Sequence, residues 1–235
     1  MIMICGVNPA NIKMGFMASV GVDFVVDYFT VKHPEEINAE FSRNPHRKAV
    51  SYLCGGSAPH PNVIAWREFS RNESDDAVTY ALANLDKVDW LSFSANPNPI
   101  AVRYLLKHPE KIDASAFSTN SCDEAVSMLM ARPALIVWNK FAENQNPIAV
   151  AMVLKRNDVA DLSGLAKNPN HDACRYTLEH LPESAPWDSL SENPNRTIIE
   201  YMLEHPRNIN WQKMSANKGI WETARSRIVV EHEPQ

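Results

Sequence analysis

Four histidines, His33, His108, His180 and His205, fall near one place in a recurring pattern. Imidazoles repeated at a fixed interval could hold a row of metal ions or pass protons along a relay. The interval argues against both. Equivalent positions in adjacent packed helices stand about 10 Å apart, whereas the ligands of one zinc each lie only about 2 Å from it. Each of these histidines is followed by Pro or Leu, as at the C-terminus of a helix, where a cation suits the macrodipole. They read as helix caps, and no metal is expected. His171, Asp172 and Cys174 are close in sequence and could form a nucleophile with its base, but no oxyanion motif accompanies them. Cys174 moreover fills a slot that holds Val elsewhere in the pattern. Cys5, Cys54 and Cys122 form no CxxC or metal-ligand spacing with it, so all four read as reduced structural thiols in a reducing compartment. No catalytic residue and no cofactor is expected.

The pattern that positions these residues is an internal repeat, anchored on one asparagine per copy: Asn44, Asn72, Asn96, Asn120, Asn144, Asn168, Asn193 and Asn217. After a first step of 28 residues every step is 24 or 25. Six residues before the anchor stand Trp66, Trp90, Trp138, Trp187 and Trp211, with Asn38, Ala114 and Leu162 in the other copies. Three before it come Phe41, Phe69, Phe93, Phe117 and Phe141, then Leu165, Leu190 and Met214. Two before it the residue is always Ser or Ala. A worn copy precedes the first anchor, where Val26-Asp27-Tyr28 echoes Val102-Arg103-Tyr104.

The copy from Val88 to Lys111 shows how residue types set the boundaries. Asp89 can cap a short first helix. Trp90 and Phe93, three apart, share its inner face. Asn96 suits a left-handed residue closing that helix, and Pro97 prevents continuation. Asn98-Pro99 reads as N-cap and first-turn proline of a second helix, whose apolar face is Ile100, Ala101, Tyr104 and Leu105. The expected unit is two helices of roughly seven and ten residues, stable only when stacked, with the Trp and Phe slots as core. The chain is therefore expected to be an all-α solenoid of about eight two-helix repeats. It would form one repeat domain over 1–235, with a degenerate copy or cap at 1–36, tandem repeats at 37–217 and a cap and tail at 218–235. The competing reading of the Trp row is an aromatic binding stripe, and that of the Asn row is a ladder engaging ligands.

Composition fits this reading. Sixteen prolines against seven glycines point to many short elements with rigid punctuation. A net charge of −5 without a basic run argues against nucleic acid. No stretch approaches the ~18–20 apolar residues of a membrane span. The apolar opening, Met1 to Cys5, is too short for a signal segment, so an unexported chain is expected.

Two features break the repeat. The first long step places its surplus residues in Gly55-Gly56-Ser57-Ala58-Pro59-His60-Pro61-Asn62, and insertions in repeat arrays form loops, often on the binding face. Gly55, Gly56, His60 and Asn62 are thus a candidate binding loop, with a neutral loop or hinge as the alternative. After Asn217, Trp221, Arg225 and Arg227 replace apolar slots ahead of a polar tail, which reads as a terminal cap or a partner-docking tail.

At Trp90-Leu91-Ser92-Phe93-Ser94-Ala95-Asn96-Pro97-Asn98-Pro99 the chain resembles the tandem Asn-Pro repeat proteins of giant nucleocytoplasmic DNA viruses, with similar repeats in some large phages. The resemblance covers roughly residues 37 to 217 and carries no catalytic motif. It implies a virus-encoded protein that acts in the virion or on a host factor in the host cytoplasm. Ser121, Gln145 and Lys218 replace the first Pro of the motif in copies four, five and eight, which should loosen those turns. The expected function is a non-enzymatic interaction scaffold for protein partners. The alternative is an inhibitor or small-molecule sponge directed at a host defence factor.

Overall fold

A computed structural model describes residues 23–32, 34, 37, 39–55, 64–156, 162–182, 184–217 and 219–220. Among these residues there are fifteen α-helices and no strand. The protein is an all-α helical repeat fold. Each full copy pairs a short first helix with a longer second one: Trp90–Ser94 with Pro99–Lys107, for example, and Trp187–Glu192 with Arg196–Glu204. The first helices run four to six residues and the second eight or nine, shorter than the sequence pattern suggested.

Local chemistry explains the shortness. Asp89 starts the Trp90–Ser94 helix by accepting from the Ser92 amide at 2.8 Å, and Asp113 does the same for Ala116. Asn98 caps the next helix by accepting from the Ile100 amide at 2.8 Å, with Pro99 in the first turn. That helix stops at His108, whose φ of −128° and ψ of 63° are not helical, and Pro109–Lys111 follow as a 3-10 turn. A helix this short has few internal bonds and depends on its neighbours.

The chain divides into two units, Met1–Glu124 and Ala125–Gln235. In the first, first helices lie against first helices (Trp90–Ser94 against Ala114–Ser118) and second against second (Arg47–Cys54 against Asp75–Leu82, and that against Pro99–Lys107). In the second unit the series Trp138–Phe141, Leu162–Lys167, Trp187–Glu192, Trp211–Ala216 forms one layer, and Pro147–Leu154, His171–Glu179, Arg196–Glu204 the other. The layer between them is apolar: Phe41, Phe69, Phe93 and Phe117 in the first unit, Phe141, Leu165, Leu190 and Met214 in the second, all fully buried. The worn N-terminal copy contributes Val26 and Phe29 to the core, Phe29 packing 5.8 Å from the Phe41 ring.

Candidate functional site

The anchor asparagines are the most distinctive polar groups, and all eight are buried. At Asn193 and Asn217 the backbone is not the left-handed one expected of the anchor: φ is −74° and ψ 120° in the first, φ −75° and ψ 118° in the second, an extended conformation that any residue adopts. An asparagine is needed for its side chain. Asn96 Oδ1 accepts from the Asn98 amide two residues on, at 2.9 Å, which makes the turn. Its Nδ2 donates to the carbonyls of Ser70 and Asn72 in the preceding copy, at 3.0 and 2.9 Å. Asn72 bonds Ser42 and Asn44, and Asn120 bonds Ser94 and Asn96, in the same way. In the second unit Asn168, Asn193 and Asn217 repeat the arrangement. The row is a ladder between copies, closing turns and clamping neighbours with one amide.

Two further rails accompany it. Asn98 Nδ2 donates to the Glu73 carbonyl, and Asn195 Nδ2 to that of Pro169, each at 2.9 Å. The small slot before the anchor is occupied by Ser42, Ser70, Ser94 and Ser191, whose hydroxyls accept the amides of Ala65, Asp89, Asp113 and Asn210 from the next copy. Copies without the first Pro keep their turns. Cys122, Asn146 and Gly219 still donate to Asn120, Asn144 and Asn217 at 2.9 to 3.0 Å, because the bond uses the amide after the replaced position. The expected loosening is absent.

The Trp row is not the core layer expected of it. Trp66, Trp90, Trp138 and Trp187 are half-buried, and Trp211 is 55% exposed. The indole occupies the first turn of its short helix and lies along the rim, with the smaller Phe filling the interior. Trp90 stacks on Tyr104, centroids 6.1 Å apart, Trp66 on Tyr80 at 6.3 Å and Trp187 on Tyr201 at 6.3 Å. Cations lie over three of the rings: Lys87 over Trp66 at 5.5 Å, Lys111 over Trp90 at 5.0 Å and Arg156 over Trp138 at 3.8 Å. Where Ala114 replaces the indole, the slot of Lys87 and Lys111 holds Leu135.

His180 and His205 contact the carbonyls of Tyr176 and Tyr201 through Nδ1, at 2.9 and 2.8 Å, and stack on the same tyrosine rings. A protonated Nδ1 donates there to a helix-terminal carbonyl. His108 stacks on Tyr104 at 4.3 Å. His33 lies outside the described residues. Among the described residues no three His, Cys, Asp or Glu side chains gather as metal ligands.

Cys174 is buried. Its Sγ donates to the Asn168 carbonyl at 3.3 Å and accepts from Asn193 Nδ2 at 3.7 Å. Burial pushes its thiol up to about 11, the Asn193 contact opposing, so it is a poor nucleophile at neutral pH. The Nδ1 of His171 is 3.7 Å from Asp172 Oδ1, both side chains exposed, and the hydrogen-bond partners of the thiol are Asn168 and Asn193. Sequence proximity did not make a catalytic triad. Of the candidate loop only Gly55 is described, ending the Arg47–Cys54 helix with its amide on the Ser51 carbonyl; Gly56, His60 and Asn62 lie outside the described residues, as does the tail from 221 on.

The outer slot of the second helices has no shared chemistry. Ser51, Thr79, Arg103, Ser127, Ala151 and Arg175 are exposed, and Glu200 is half-exposed. No helix among the described residues is long and apolar enough to cross a membrane. Comparison with family models, with curated proteins and with solved structures finds no match to this chain.

Proposed function

We propose that this chain is a non-enzymatic scaffold that binds another protein through the outer face of its second helices. One contrast carries the reading. The polar groups repeated from copy to copy (the Asn ladder, the Ser hydroxyls and the second Asn rail) bond neighbouring copies, while the outward slot changes chemistry at each copy, from Ser51 through Arg103 and Ala151 to Glu200. A repeated ligand such as a phosphate backbone would favour one cation in every copy, whereas a folded partner burying ~1,200–2,000 Å² presents a different group at each point. The resemblance to virus-encoded Asn-Pro repeat proteins supports a place in the virion or on a host factor in the host cytoplasm. An inhibitor or sponge for a small molecule is the alternative reading.

Cross-linking mass spectrometry in the native source tests this. The exposed Lys107 and Lys155 should link to one partner protein. Absence of any protein neighbour, together with tight binding of a small molecule by the isolated chain, would transfer the assignment to the alternative.

A further inference from the structure

The cation on the rim follows the indole. Lys87 and Lys111 stand 21 residues after Trp66 and Trp90 and lie over their rings at 5.5 and 5.0 Å. Where Ala114 takes the place of the indole, Leu135 takes that of the lysine. Trp138 has Met152 instead of Tyr in the slot 14 residues on, and there Arg156, from a position three residues earlier than that of the lysines, covers the ring at 3.8 Å. Two different positions thus supply the cation, as the negative face of the indole favours.

Trp187 departs from this rule. Its copy repeats the surroundings of Trp90: Tyr201 stacks on it at 6.3 Å, as Tyr104 does on Trp90 at 6.1 Å. His205 packs on Tyr201 at 4.4 Å, as His108 does on Tyr104 at 4.3 Å. The turns that follow are alike too. Pro109–Lys111 and Pro206–Asn208 are both 3-10 turns, closed by the Lys111 amide on the His108 carbonyl at 2.9 Å and by the Asn208 amide on the His205 carbonyl at 3.0 Å. The backbone of the lysine position is therefore the same, but the residue on it is Asn208. Arg207 is exposed, and among the described residues no Lys or Arg lies over the Trp187 ring. His205, in the slot of Arg156, contacts the Tyr201 carbonyl through Nδ1 at 2.8 Å, with its ring 6.2 Å from the indole and tilted by 32°. The exposed charges Glu204 and Arg207 cancel, whereas the matching slots Lys107, Glu110 and Lys111 leave one positive charge. An arriving cation is less opposed at Trp187 than at Trp90.

We propose that Trp187, flanked by Tyr201 and His205, receives a lysine side chain of a partner protein over its indole, in the place that Lys111 fills over Trp90 from within the chain. The other copies set the choice of occupant: two of the three cations that the chain itself lays on this rim are lysines. The proposal rests on the scaffold reading for its partner and adds a contact on the rim to the outer face of the second helices.

The full chain with isotope-labelled indoles is titrated, at constant ionic strength, with N-acetyl-lysine amide and separately with N-acetyl-norleucine amide, which lacks the ammonium. The Trp187 indole N–H signal, assigned with Trp187→Phe, should shift with the lysine amide and stay in place with the norleucine amide. Asn208→Lys should fill the place from within and weaken the response at least about fivefold. Lys111→Asn should open the same response at Trp90. Both substituted positions are exposed, so circular-dichroism melts should show both variants folded. A Trp187 signal that ignores the lysine amide, or moves equally with the norleucine amide, overturns the proposal. So does an Asn208→Lys protein that responds like wild type, or a Lys111→Asn protein silent at Trp90. Co-sedimentation with phosphatidylcholine vesicles that Asn208→Lys abolishes would give the ring a lipid headgroup and overturn the lysine. If the lysine amide fails while Lys107 still cross-links to a protein in the native source, this proposal falls and the scaffold reading stands. If it binds and no protein neighbour is found there, the scaffold reading falls and takes the partner with it.

Discussion

The side-chain amide of Asn96 donates to the backbone carbonyl of Asn72, 24 residues earlier, at 2.9 Å; Asn72 donates in the same way to Asn44, 28 residues earlier, at the same distance. The four surplus residues of that first step leave the bond between copies unchanged.

Asn96→Ala should destabilise the chain by about 2–5 kcal/mol, since the carbonyls of Ser70 and Asn72 lose a buried donor and unmet groups cost about 1–3 kcal/mol each. Asn96→Asp, nearly the same shape, should cost at least as much, because it turns a carboxyl oxygen toward two carbonyl oxygens. Urea unfolding of both variants gives the comparison. An Asn96→Asp protein as stable as wild type would show that the amide donor is dispensable.

Phe93→Ala should cost more than Trp90→Ala, despite the larger side chain lost in the second. Phe93 is fully buried and its removal leaves a cavity, about 3–5 kcal/mol. Trp90 keeps one edge at the surface, between Tyr104 and Lys111, so about 1–3 kcal/mol is expected. Reversal of that order in thermal or urea unfolding would return the indole to the core.

Cys174 should resist thiol reagents near neutral pH in the native protein and react once the chain unfolds. Its folded value, about 11, lies above the ordinary 9.0, so folding favours the protonated thiol. That contribution is fully present below pH 9 and is lost as the pH rises through about 11. Labelling rates with and without denaturant across this range check it. Fast native labelling of Cys174 at neutral pH would contradict its burial.

Gly164→Ala should destabilise the second unit by about 1–3 kcal/mol. A Cβ there would stand 2.6 Å from the Asn139 carbonyl oxygen and 2.8 Å from Ala142 Cβ, and backbone cannot move aside cheaply. Other copies carry Ser92, Ala116 or Lys140 in this slot, so a tolerated Gly164→Ala would mean that Leu162–Lys167 can settle further from its neighbour.

Much of this architecture was legible from spacing. The register from Asn44 to Asn217, the cap at Asp89 and the Asn98-Pro99 start of the second helix depend on residues near in sequence, where propensity and turn chemistry speak directly. The role of Asn96 was legible only in part. Its turn is local, but its bonds to Ser70 and Asn72 join residues 26 and 24 apart, and a side chain reaching the previous copy leaves no local signature. The Ser slot carried an unused hint: a hydroxyl-bearing residue recurring at Ser42, Ser70, Ser94 and Ser191 asks for a partner. The Trp row was misjudged for a similar reason. Recurrence of a large aromatic marks a fixed environment, and a rim between a tyrosine face and a cation is as fixed as a core.

The ladder also has a direction. Within each unit an anchor donates its amide to carbonyls earlier in the chain, as Asn120 does to Asn96 and Asn217 to Asn193. A ribosome delivers a chain from its N-terminus, so each newly emerged copy finds its acceptors already made and waiting. The order of synthesis is then the order in which the bonds can close, and growth proceeds by docking one short segment at a time onto finished backbone.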